Sequence, residues 1–144
     1  MTNAELKKKV ASEKNSDFFI YSGLICKIQR AGELLHLCGY VYIPEGHPLF
    51  GKGYDEIDID VHGGLTFSER VGKYWLIGFD CAHMGDIVPY MYFKNLMINQ
   101  GEYRDWDYVD NELKSMAWEV AAIEKPHYEN IDAELARLIL EEKE

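Results

Sequence analysis

The stretch "DEIDIDVHGGLTF", residues 55–67, places Asp58, Asp60 and His62 at every second position and then stops at Gly63 and Gly64. In an extended chain, side chains at i, i+2 and i+4 share a face. Asp58, Asp60 and His62 are therefore expected to line one side, while Ile57, Ile59 and Val61 enter the core. Two carboxylates and an imidazole together suit a metal or a proton. The two glycines let the chain turn, or lie against a ligand, where a Cβ would be in the way.

A second segment, "GFDCAHMGD" at 78–86, packs Asp80, Cys81, His83 and Asp86 into seven positions. If the strand before it continues, Cys81 and His83 share a face; if the chain turns after Phe79, Asp80 and His83 point together. Either way it offers N, S and O donors, which is what a tetrahedral zinc site takes. The expected ligand set is His62, Asp80, Cys81 and His83, with Asp60 or the loop residue His47 as a further donor. Asp60 and Asp86 are expected to hold the imidazole N–H groups. Two alternatives stay open: a polar network that satisfies buried backbone groups, and a Cys81 nucleophile with a histidine base, which lacks papain-type context. The spacing of Asp58, Asp60, His62, Gly63, Leu65 and Glu69 also matches a calcium-binding EF-hand loop. Such a loop needs a helix on each side, and here the flanks are glycine-rich and strand-like.

The elements that must position these groups follow from periodicity. Thr2 with Glu5 is a capping-box pattern opening a short N-terminal helix over residues 2–14. "GLICKIQ" puts Leu24, Cys26 and Ile28 on one face, "RAGE" is a turn, and "LLHLCGYVYIP" is a second strand ended by Pro44. The opening stretch is expected as a third strand, "LTFSE" as its return, and "KYWLIGFDC" as a further, mostly buried strand. Residues 84–101 have no clean period; their Tyr90, Met91, Tyr92, Phe93, Leu96 and Met97 are expected either to pack over the core or to face a partner. Val109, Leu113, Met116, Val120 and Ile123 form one helical stripe starting near Asp105 or Asp107. "KPHYEN" breaks it, and a last short helix follows with Ile131, Leu135 and Leu138 inward and Asn130 or Asp132 as cap. The expected fold is α+β: a mostly antiparallel sheet covered by C-terminal helices, with a short N-terminal helix. The 144 residues are expected to form one domain: a helical start (1–16), a β-rich core with the candidate metal site (20–100) and an acidic helical part (103–144).

Composition narrows the function classes. The apolar share of 47% is that of a folded chain. No apolar run approaches the roughly 20 residues that span a bilayer, and no secretory signal opens the chain, so a cytoplasmic protein without membrane contact is expected. The three cysteines have no CxxC spacing and are expected as thiols, Cys26 and Cys38 within the core. A net charge of −10 argues against direct nucleic-acid binding. Residues 102–144 carry five basic and thirteen acidic residues, so most of the acidity lies in the C-terminal third. Such a surface either solvates helices or competes with nucleic acid for a basic groove on another protein.

The runs "HPLFGKGYDEIDIDVHGGLTFSE" (47–69), "WLIGFDCAHMGD" (75–86) and "YRDWDYVDNELKSMA" (103–117) resemble a family of small proteins encoded by phages and prophages. The resemblance spans roughly residues 38–120. The chain departs from that pattern at Phe50, where Tyr is usual, and at Met84, where a smaller residue is usual and where the larger one is expected to narrow the pocket. The resemblance implies an accessory protein in a bacterial cytoplasm, in the company of inhibitors of host defence such as anti-CRISPR proteins, some of which hold a structural zinc. The first expectation for function is a zinc-stabilised protein that binds and inhibits a host nucleic-acid-handling or defence protein, for instance a CRISPR effector nuclease. The alternatives are a metal-dependent hydrolase of a nucleotide or phosphoester, with Asp60 or Asp86 as base, and a sponge for a nucleotide signal.

Overall fold

A computed structural model describes residues 1–97 and 101–143. Thr2 accepts from the Glu5 N–H while Glu5 accepts from the Thr2 N–H, and this reciprocal cap opens helix α1, Asn3–Ser12. Strands β1 (Ser16–Tyr21), β2 (Leu24–Arg30), β3 (Leu37–Ile43), β4 (Phe67–Val71) and β5 (Tyr74–Asp80) make one antiparallel sheet in the order β1-β2-β3-β5-β4. Strand β1 is an addition to the expected set. Its Phe18 and Ile20 alternate with Phe19 and Tyr21, but four adjacent strand formers after a leading Asp mask the period.

Both faces of the sheet are covered, each by a different helix. Leu24, Cys26 and Ile28 of β2, Val41 and Ile43 of β3, and Ile77 and Phe79 of β5 pack against helix α3, Trp106–Ile123. Val109, Leu113, Met116 and Val120 are buried there, as the stripe requires; each such side chain contributes about 2 kcal/mol through burial. Ile123, the last member of the stripe, is 49% exposed, because the helix runs on past the core. On the opposite face Ile25, Tyr42, Tyr74 and Leu76 meet helix α4, Ile131–Lys143, through Leu138, with Ile131 and Leu135 half-buried beside it. Asn130 caps α4 by accepting from the Ala133 N–H. The result is the expected α+β architecture.

Residues 57–61, expected as a strand, lie outside the sheet. Ile57, Ile59 and Val61 are buried and Asp58 and Asp60 exposed, so the alternation holds. The segment, however, runs extended against α3, and among the described residues no strand pairs with it. Its backbone is satisfied by carboxylates of that helix: Glu112 accepts from the His62 N–H at 2.8 Å and Glu119 from the Asp60 N–H at 3.2 Å. A period of two reports which side is buried; it does not say whether a strand or a helix flank supplies the hydrogen bonds.

Between β5 and α3 lies a short helix, α2, Pro89–Phe93, where no period was visible. Tyr90, Met91, Tyr92 and Phe93 are half-buried, and Leu96 is exposed. Residues 98–100 of this expected partner-facing segment lie outside the described residues. Among the described residues, no helix is long and apolar enough to cross a membrane.

Candidate functional site

The polar centre of the molecule gathers where the turn at Gly63 meets the end of β5 and the start of α3. Asp86 stands at its middle, its side chain 1% exposed. The carboxylate accepts from His62 Nε2 at 2.9 and 3.0 Å, from the His83 N–H at 3.0 Å and from Arg104 Nε at 2.9 Å. Burial alone would raise the Asp86 pKa; the bonds from His62, His83 and Arg104 outweigh it and hold the carboxyl below its usual range. An ionised Asp86 can only accept, so Nε2 of His62 donates to it and Nδ1 accepts from the Tyr108 hydroxyl at 2.7 Å. Arg104 also lies over the Tyr108 ring, its guanidinium carbon 5.0 Å from the centroid. His62 therefore has both nitrogens engaged.

The two glycines follow from the same corner. Gly63 and Gly64 have φ of +69° and +77°, a region that side-chain-bearing residues avoid. A Cβ on Gly63 would stand 2.2 Å from Cδ2 of His83, so the imidazole rests on the bare backbone; Gly64 has open space around it. The ring centroids of His62 and His83 are 5.9 Å apart.

Asp80 and His83 point together, which is the turned arrangement rather than the continued strand. Asp80 accepts from the Ala82 N–H at 3.0 Å and from the Thr66 hydroxyl at 2.7 Å, and its Oδ1 lies 3.4 Å from His83 Nε2. That nitrogen is buried without a hydrogen-bond partner, and so is Nδ1 of His36. Burial pushes the His36 pKa down, while Asp80 and Asp86 pull it up, which sets His36 within electrostatic reach of the corner.

Of the four expected ligands, His62, Asp80 and His83 are brought to this corner. Cys81 turns the other way: it is 1% exposed and belongs to the apolar cluster under α3. Burial pushes its thiol up. Among the described residues, no three His, Cys, Asp or Glu side chains converge closely enough to hold a metal ion. The fit is partial, with Asp80 Oδ1 and His83 Nε2 a ligand-like distance apart without a hydrogen bond between them.

The remaining expected donors lie elsewhere. His47 closes the C-terminal end of α3: its Nδ1 accepts from the Leu49 N–H, and its Nε2–H is shared between the Val120 and Glu124 carbonyls at 3.1 and 3.0 Å. Asp58 and Asp60 face solvent. Met84 is 96% exposed and narrows nothing. Tyr108, Arg104 and His36 were absent from the expected site. Arg104 and Tyr108 stand four residues apart at the entry to α3, a spacing that could have flagged them; His36 sits before β3 with no local signal. Comparison with protein-family models, with curated proteins and with solved structures found no match.

Proposed function

We propose that the chain acts by binding rather than by chemistry: an accessory protein, in the setting its phage-like segments imply, that binds and inhibits a host nucleic-acid-handling or defence protein such as an RNA-guided nuclease. One observation carries this reading. Most of the apolar stripes of α3 and α4 is spent on the two faces of the sheet, and most acids of the C-terminal third remain outside, with Asp107, Glu124, Glu129, Asp132, Glu141 and Glu142 exposed. A surface of that sign is attracted to the basic groove in which such an enzyme holds nucleic acid. The central network supports the same reading, since His62 and Asp86 spend their polar atoms on each other, on Tyr108 and on Arg104. The test is binding to a panel of purified nucleic-acid-free effector nucleases, with duplex DNA as competitor. Expected is a complex that weakens as salt rises and that DNA displaces. Failure to bind any member, or binding indifferent to both salt and DNA, removes the proposal.

A zinc ion is a second reading, favoured by the buried Nε2 of His83, 3.4 Å from Asp80 Oδ1 and without a hydrogen-bond partner, and by the equally unpartnered Nδ1 of His36. Asp80 and His83 are the residues that would hold it, with His36 as a further donor, and it would serve to lock the turn at Gly63 to the end of β5. Metal analysis of tag-free protein, with melting in the presence and absence of chelator, decides it. About one zinc per chain, lost together with thermal stability in His83→Ala, supports the ion. Metal-free protein whose melting ignores chelator leaves the corner a polar network.

A further inference from the structure

The outer side of the 57–61 segment does not look like the rest of the acidic surface. Together with the end of α3 it lines a shallow, open groove of about 420 Å³ whose walls include Asp58, Ile59, Asp60, Trp118, Glu119 and Ile123. Trp118 is 63% exposed and Ile123 is 49% exposed. Large exposed side chains of this kind are the anchors of interfaces, aromatic ones above all. Solvating the helix does not account for them, because a polar residue at either position would serve that purpose better.

The carboxylates around these two side chains are free as well as close. Among the described residues, neither Asp58, Asp60 nor Glu119 has a cationic partner within 4.0 Å. Glu119 is held in place by accepting from the Asp60 N–H, and the segment is anchored from below by Ile57, Ile59 and Val61. The groove thus has two walls joined by the Asp60–Glu119 bond, an indole open to stacking and three carboxylates without a counter-charge.

We infer that this groove, between Asp58–Asp60 and the Trp118–Ile123 end of α3, is the docking site for an arginine-bearing, apolar-tipped segment of a partner protein. The guanidinium fits the site in two ways at once: it stacks on an indole face and donates a bidentate pair of hydrogen bonds to a carboxylate. An adjacent aliphatic side chain then covers the exposed Ile123. A nucleic acid is excluded by the sign of the charge. The inference rests on the binding reading above and names the surface it uses.

Trp118 itself reports occupancy, since the other two tryptophans, Trp75 and Trp106, are half-buried against the core. The experiment titrates the intact chain, at 0.15 M salt, with a helical peptide of alternating arginine and leucine faces, following tryptophan emission and heat. A peptide with glutamate for arginine and one with lysine for arginine serve as controls. Expected are saturable binding with a blue-shifted emission, no binding of the glutamate peptide, and weaker binding of the lysine peptide. Trp118→Ala and the double variant Asp58→Asn/Asp60→Asn, both surface changes, are expected to weaken binding at least tenfold with melting unchanged. Absence of binding, or equal binding by wild type and Trp118→Ala, overturns the inference. The two proposals fail separately. If an effector nuclease binds wild type and Trp118→Ala alike, the groove falls and the binding function stands. If the arginine peptide binds through Trp118 and no nuclease binds, the groove stands and that function falls.

Discussion

Asp86 accepts from three donors on three parts of the chain, and each donor is itself held by something else. Its lowered pKa sets the sign of a pH dependence. A carboxyl whose folded pKa lies below its unfolded value adds stability that is present above the unfolded pKa and lost as pH falls through the folded one. Glu134, which burial alone would raise, is pulled down by its bonds to Lys73, the Asn130 N–H and Tyr74, and so acts with the same sign. Stability is therefore expected to drop on the acid side of the ordinary carboxylate value of 3.8. Asp86→Asn should flatten that limb and cost about 3 kcal/mol at neutral pH, because Arg104 loses its buried partner. Urea unfolding across pH 2–7, the window spanning both forms of the carboxyl, measures both. The glycines offer a second check at this scale. Gly63→Ala and Gly64→Ala both force a side chain into a left-handed backbone at about 1 kcal/mol, but only the first also collides with His83. Gly63→Ala is expected to cost at least about twice as much as Gly64→Ala in the same urea series; equal costs would mean that His83 does not rest on Gly63.

Among the elements, the 57–61 segment has the least usual support. Extended chain normally finds its hydrogen bonds in a neighbouring strand, yet here side-chain carboxylates on one face of α3, Glu112 and Glu119 seven residues apart, take that place. The segment gives up sheet pairing and gains a position from which it delivers His62 inward and Asp58 and Asp60 outward. Its N–H groups rest on single bonds that can be removed one at a time. Glu112→Ala is expected to destabilise the fold by about 1–2 kcal/mol. It should also speed hydrogen exchange at the His62 amide by more than tenfold while the amides of β3 and β5 stay protected. A globally faster exchange would show that the segment has no local stability of its own.

At the scale of the molecule, one buried ion pair ties the N-terminal helix to the rest. Arg30 and Glu13 have side chains 4% and 5% exposed and pair at 3.1 Å. Glu13 also accepts from the Tyr103 hydroxyl at 2.6 Å and from the Trp106 N–H at 2.8 Å, where α3 begins. Arg30 spends its remaining donors on the Asn15 side chain, the Lys14 and Leu35 carbonyls and the Tyr103 hydroxyl. The pair thus locks the end of α1 to β2 and to the entry of α3, whose first turn carries Tyr108. Glu13→Ala is expected to cost about 3–5 kcal/mol in urea unfolding, since it strands a buried guanidinium, and Glu13→Gln about half of that. An effect below about 1 kcal/mol for Glu13→Ala would show that α1 is dispensable.

The local elements and their inward faces were legible in the chain: the cap at Thr2, the stripe of α3, the cap at Asn130 and the alternation of Ile57, Ile59 and Val61. Each depends on neighbours within four residues, where period and capping chemistry act directly. The proximity of His62 to "DCAHMGD" was legible too, because a turn at paired glycines must bring two such polar runs near each other. Which side chains of those runs converge was decided by tertiary structure. Cys81 turned into the core because β5 runs through Asp80 and parity assigns the next position to the α3 face. Arg104, Tyr108 and His36 joined the corner, and Asp58 and Asp60 left it to face Trp118, because α3 packs across the sheet and the 57–61 segment lies on that helix. Such contacts join residues tens of positions apart, and no local spacing encodes them.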